Sequence, residues 1–141
     1  MSLCFLSLDS SKVFNKLILE HLIQLKFDGL SEALVILFPY IDENDKITVS
    51  QLAKKVGYSR QAMHKNIKKL ETLEYITLIE ENQKEKSIKL TPKGEELIIN
   101  AHQFISNTET KISEFIDKED LELYKKNQLR IYEYLKSMSE S

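Results

Sequence analysis

The segment from Thr48 to Leu73, TVSQLAKKVGYSRQAMHKNIKKLETL, limits the fold more than any other. Thr48 or Ser50 can cap a short helix that carries Leu52, Ala53 and Val56 on one side. Gly57 then ends it, as a residue free to take positive φ after a helix. Two residues on, Ser59 caps a second helix in which Met63, Ile67, Leu70 and Leu73 fall at i, i+4, i+7 and i+10. That spacing makes one apolar stripe. Arg60, Gln61, His64, Lys65 and Lys68 lie off it and must face outward.

The remaining elements follow from the same signals. Apolar Val13, Phe14, Leu17, Ile18, Leu22, Ile23 and Leu25 predict a helix over 9–27, greasy on more than one face and broken by Asp28-Gly29. Ser31 is a predicted N-cap for a helix over 33–38 that Pro39 kinks or ends, and residues 42–46 read as a loop. The β-prone runs 75–80 and 87–90 flank a polar tip and predict a two-stranded hairpin. Thr91-Pro92 restarts helix, Thr as cap and Pro at the first helical position, and apolar spacing continues to about 118. A last helix starts at Lys118 or Glu119 and carries Leu121, Tyr124, Ile131 and Leu135. Only three glycines and two prolines occur in 141 residues, which fits long helices and few turns. The predicted fold class is mainly α with a small β-hairpin, an α+β arrangement.

Charge is distributed unevenly along this frame. The chain has 20 Lys plus Arg against 22 Asp plus Glu. Yet the 25 residues from Lys46 to Leu70 hold seven cations, Lys46, Lys54, Lys55, Arg60, Lys65, Lys68 and Lys69, and no carboxylate. The rest of the chain therefore carries −9, the overall −2 less these seven. An ordinary exposed helix mixes signs for i,i+4 pairing. An acid-free run points to a polyanionic partner. From Glu95 to Glu122, by contrast, eight carboxylates face two lysines, which reads as a solvated face held away from such a partner.

A short helix, a tight turn, a basic capped helix and a hairpin make a helix-turn-helix followed by a wing. In that geometry the second helix enters the DNA major groove with its N-terminal residues at base edges, and the hairpin reaches phosphates or the minor groove. The residues ITVSQLAKKVGYSRQAMHKNIKKLETLEYI followed by IKLTPKGEEL resemble the DNA-binding core of the MarR family of transcriptional regulators. The resemblance implies a single domain over 1–141, with a winged helix-turn-helix core at 30–94 and N- and C-terminal dimerisation helices at 1–28 and 95–141. It implies double-stranded DNA and a second copy of the chain as partners. For the members that bind one, it also implies a small-molecule effector at the junction of the dimer and DNA-binding regions. Repression of MarR type, relieved by such a ligand, is the expected function. Arg60 and Gln61 have the chemistry for guanine and adenine edges. Lys65 and Lys68 suit phosphates, and Ser59 and His64 complete the expected contacts of the recognition helix.

This sequence departs from the family pattern at two places. The family's wing often carries an Asp, any residue, then an Arg that enters the minor groove upstream of a Leu-Thr-x-x-Gly element. Here Leu90-Thr91-Pro92-Lys93-Gly94 is intact, but Asn82 and Lys84 stand where that Asp and Arg would be. Lys84 and Lys86 are the expected wing contacts, with Lys84 leading. Lysine lacks the planar fork that suits a narrow groove. Glu74 stands where many members end the recognition helix with glycine; if the position demands a left-handed backbone, Glu costs about 1 kcal/mol there. The segment SRQAMHKNIKKL is also similar to the helix-turn-helix of biotin-operon repressors.

Two alternatives to the regulator reading stay open. A winged helix can serve as a protein-interaction module without touching DNA. Leu3-Cys4-Phe5 with Ser10-Ser11-Lys12 behind it is similar to the N-terminus of MarR-type organic-hydroperoxide sensors, which oxidise a thiolate to a sulfenic acid. Those sensors place tyrosines about four and fourteen residues later, where this chain has Leu8 and Ile18. His21, His64 and His102 lack metal-ligand spacing, so no metal and no cofactor is expected. With no phosphate-binding glycine loop, nucleophile elbow or catalytic carboxylate pair, an enzyme is not expected. One cysteine, no apolar run of ~18 residues and no basic n-region predict a cytoplasmic protein without membrane attachment.

Overall fold

A computed structural model describes residues 1–81 and 85–140. The chain forms two compact units, Met1–His102 and Gln103–Ser141. In the first unit, α1 (Leu3–Gln24) is followed by α2 (Glu32–Val35), α3 (Phe38–Glu43), α4 (Val49–Val56) and α5 (Arg60–Thr72). Strands β1 (Ile76–Glu80) and β2 (Lys86–Leu90) come next, and then α6 (Pro92–Ile116) begins. The mainly α fold class with one antiparallel hairpin is the observed one, and the hairpin pairs Ile76 with Leu90 through Glu80 with Lys86.

The core of this unit gathers one to three apolar positions from each element. Leu22, Leu37, Leu52, Met63, Leu70 and Tyr75 have no exposed surface. Ile76 and Ile88 from the hairpin and Leu97 and Ile98 from α6 are also buried. The predicted stripe on α5 holds for Met63, Ile67 and Leu70, with Leu73 half-buried at its end. Fully burying one such side chain stabilises by about 1.5–3 kcal/mol, so this stripe is what seats α5 on the unit.

Several boundaries differ from the sequence expectation for local reasons. Helix α1 starts at Leu3 rather than Asp9, because the Ser2 hydroxyl oxygen accepts the Phe5 N–H at 3.1 Å. It also stops before Asp28-Gly29: Lys26 takes φ 72°, and the Phe27 N–H reaches the Leu22 carbonyl at 3.1 Å. Pro39 does not end a helix over 33–38. It lies in the first turn of α3, where its missing N–H leaves nothing unsatisfied, and α3 takes in Asp42 and Glu43 of the expected loop.

In the second unit, the C-terminal part of α6 meets α7 (Lys118–Ser139) across Asp117, whose φ of 83° turns the chain. The Lys125 ammonium pairs with Glu109 at 2.6 Å, which raises the lysine pKa, and Leu121 is buried.

Candidate nucleic-acid interface

Local chemistry fixes both ends of α4 and the start of α5. Thr48 and Gln51 form a reciprocal capping box, with the Gln51 N–H on the Thr48 hydroxyl at 3.1 Å and the Thr48 N–H on the Gln51 side chain at 3.0 Å. Gly57 takes φ 83° and its N–H bonds to the Ala53 carbonyl at 2.9 Å. The Ser59 hydroxyl oxygen accepts the Ala62 N–H at 3.1 Å. The oxygen of Ser59 is thus committed to the cap, leaving its proton to donate.

Arg60, Gln61, His64, Lys65 and Lys68 are all exposed. At about 100° per residue they occupy an arc of about 140° on α5, outside the buried stripe, with Arg60 at the edge nearest to it. Lys54 and Lys55 in the last turn of α4 are exposed as well, as are Lys46 and Lys69. Seven exposed cations with no intervening carboxylate thus run from Lys46, ahead of α4, to the last turn of α5, and the N–H groups at the start of α5 themselves favour negative charge.

The wing contributes less. Its base is anchored, because the Ile88 N–H bonds to the Ile47 carbonyl at 2.8 Å and Thr48 bridges Ser87. Ser87 is buried and donates to Glu81 at 3.0 Å. Lys86 is exposed and stands opposite Glu80 in the ladder, next to a carboxylate that lowers the local positive potential. Lys84 lies outside the described residues.

At the other end of α5 the carbonyls of Lys69, Leu70, Glu71 and Leu73 are all engaged. Glu74 takes φ 66°, so the left-handed requirement inferred for that position is real. The Glu74 N–H bonds to the Glu71 carbonyl and the Tyr75 N–H to the Leu70 carbonyl, both at 3.0 Å, which is the Schellman pattern of helix termination. Thr91 then clamps the turn: its hydroxyl donates to the Glu74 carbonyl at 2.6 Å and accepts the Gly94 N–H at 3.1 Å. Its own N–H meets the Tyr75 carbonyl at 3.1 Å. Gly94 is required by this approach, since a Cβ there would lie 2.2 Å from the Tyr75 oxygen.

Lys93 completes the joint. Its ammonium donates to the Leu73 carbonyl and to the Asp28 carboxylate, each at 2.8 Å, and sits 4.3 Å from the centre of the Tyr75 ring. The Lys93 hydrogen bond holds the Asp28 carboxyl below its ordinary value. The buried Tyr75 hydroxyl donates to the Asp28 carbonyl at 2.7 Å. Burial, then the charge of Asp28, pushes the Tyr75 pKa up to about 12. Asp28, Tyr75 and Lys93 were not among the expected site residues. Lys93 lay in plain view within the intact Leu-Thr-x-x-Gly element, and Asp28 registered only as a helix breaker.

Cys4 is exposed on α1. Among the described residues no group of three or more His, Cys, Asp or Glu could hold a metal ion, and no helix is long and apolar enough to cross a membrane.

Comparison with known proteins bears on this arrangement. A family model described as the MarR family matches residues 31–86. Among solved structures, the S. aureus MepR–DNA complex superposes with a TM-score of 0.74 at 18% identity, over 96% of this chain and 98% of that one. The transcriptional regulator PA3341 gives a TM-score of 0.74 at 21% identity, over 96% and 99%. Streptococcus pneumoniae FabT in complex with DNA gives 0.74 at 18%, over 97% and 99%. At these identities the likeness is one of fold. No curated protein matches the sequence.

Proposed function

We propose, from the match of residues 31–86 to the MarR family and the winged helix-turn-helix fold, that the protein is a sequence-specific DNA-binding transcriptional regulator. It acts as a homodimeric repressor that a small ligand releases, and it carries out no catalysis. The observation that carries the DNA reading is the exposed, acid-free run of cations along α4 and α5. Two of the similar folds, MepR and FabT, were solved on DNA. Arg60 and Gln61 read base edges, while Lys65, Lys68 and the cations of α4 meet phosphates. A regulator of this kind works in the cytoplasm.

Exposed apolar surface supports the dimer. On α1, Phe5 is 62% exposed and Val13 56%; on α7, Leu129 is 56% exposed and Tyr134 68%. Apolar faces of that extent call for cover, and a second copy supplies the same faces by symmetry. The regions 1–28 and 95–141 form this interface, leaving 30–94 for DNA.

The test is anisotropy titration of the full chain on a duplex that it selects from a randomised pool and on a scrambled duplex. Binding should weaken steeply with salt and favour the selected site. Salt-insensitive binding, or none, would shift the reading to a protein-interaction module. Light scattering at tens of micromolar, roughly the range in which a stable dimer persists, should give twice the chain mass.

A further inference from the structure

We propose that Lys93 is a positioning residue for DNA reading: by holding the last turn of α5 from the first turn of α6, it sets the angle at which Arg60 and Gln61 are presented. The proposal rests on the DNA-binding reading and adds to it a residue outside the DNA-facing surface.

The joint has the parts such a role needs. Lys93 donates to the Leu73 carbonyl, the terminal group of α5, at 2.8 Å. A cation there also meets the negative end of the helix dipole. The same ammonium reaches Asp28, past the end of α1, at 2.8 Å, and lies over Tyr75, so three segments converge on one charge. The Lys93 and Asp28 side chains keep 37% and 65% of their surface exposed. An ion pair so exposed contributes little to global stability. What it supplies is direction.

Geometry makes that direction matter at the far end. Arg60 lies about 20 Å along the axis from Leu73, at 1.5 Å per residue. The buried stripe of Met63, Ile67 and Leu70 lies between and serves as a fulcrum. Slack of about 1 Å at Leu73 therefore returns as a shift of similar size at Arg60. Base-edge hydrogen bonds tolerate only about 2.7–3.2 Å between donor and acceptor, whereas lysines on flexible stems still find phosphates.

Lys93→Met, which keeps most of the stem and removes the ammonium, is the direct test. Titrations on the selected and scrambled duplexes should show the preference for the selected site falling about tenfold, the scale of one mispaired base contact. Affinity for the scrambled duplex, the slope against salt and the melting temperature should stay close to wild type. Asp28→Asn keeps the bond to Leu73 and should lose less, about threefold. An unchanged preference in Lys93→Met overturns the proposal while leaving DNA binding intact. A fall in both affinities with a salt slope reduced by one makes Lys93 a phosphate contact and also overturns it. A greater loss in Asp28→Asn than in Lys93→Met moves the role to Asp28. Failure of the wild-type chain to select any duplex defeats the DNA reading itself, and the proposal with it.

Discussion

At the start of α5 the Ser59 cap satisfies one backbone donor, and from there to Lys68 the side chains of Arg60, Gln61, His64, Lys65 and Lys68 stand exposed and uncommitted among the described residues. At its end the carbonyls of Leu73, Glu74 and Tyr75 all accept bonds from the first turn of α6 or the residue before it. One helix thus has a free end and a tied end. Groups that read a ligand must stay unsatisfied until it arrives, yet their scaffold must not move, and a helix meets both needs by separating them along its axis. The wing shows the intermediate case: its base is bonded to Ile47, while Lys86 already faces Glu80.

The tied end should break most sharply at Gly94. A Cβ 2.2 Å from the Tyr75 oxygen meets backbone, which cannot rotate away. Gly94→Ala should cost about 3 kcal/mol of stability in urea denaturation, at the upper end of overpacking effects. A loss under about 1 kcal/mol would mean that α6 can retreat from α5 cheaply, and the contrast between the two ends would weaken.

The free end should respond in binding and not in stability. Arg60→Ala is expected to cost about 1–3 kcal/mol on the selected duplex and little on a scrambled one. Lys65→Ala or Lys68→Ala should weaken both duplexes alike and lower the salt slope by about one. Equal losses for Arg60→Ala on both duplexes would class it with the lysines.

How much of this the sequence disclosed follows the same division. The free end was legible, because capping, apolar spacing and the absence of acid are local signals: Ser59 caps the helix, and each of Arg60, Gln61, His64, Lys65 and Lys68 stands exposed as expected. The demand for positive φ at Glu74 was legible only through the resemblance. Nothing local in Leu73-Glu74-Tyr75 announces a turn, and the bonds that hold it come from residues 17 and 20 positions away. Asp28 and Lys93 are 65 residues apart, so their pairing is a product of tertiary packing that no periodicity encodes. The start of α1 was missed because the Ser2 cap lies ahead of an apolar run too irregular to mark a helix face.

Tyr75 offers a probe of the tied end through pH. Burial and Asp28 raise its pKa from 10.0 to about 12 in the folded chain, so the neutral phenol is the form the fold prefers. That preference contributes stability fully below pH 10, the unfolded value, and is lost as pH rises from there to about 12. Wild type should therefore lose its advantage over Tyr75→Phe across that window. Below it, the variant should be less stable by about 1 kcal/mol, the net value of a buried hydroxyl bond. Parallel urea melts at rising pH measure the difference. A gap that stays constant through the window would mean that Tyr75 ionises without feeling the joint.

Glu74 gives the smallest effect and the cleanest test of what kind of joint this is. A non-glycine residue at φ 66° is strained by about 1 kcal/mol, and glycine removes that strain. Against this, glycine loosens the unfolded chain by about 0.4–1 kcal/mol, so Glu74→Gly should stabilise by no more than about 0.5 kcal/mol. The Glu74 side chain is exposed, and the bond that matters, from Thr91 to its carbonyl, survives the change. At the free end the sign should reverse. Lys65→Gly replaces an exposed residue inside the helix, where glycine costs close to 1 kcal/mol. Opposite signs for one substitution on one helix would show that the tied end is a backbone joint whose side chain is dispensable. Destabilisation at Glu74 would instead assign the carboxylate a part in holding the turn, and the joint would no longer be a matter of carbonyls alone.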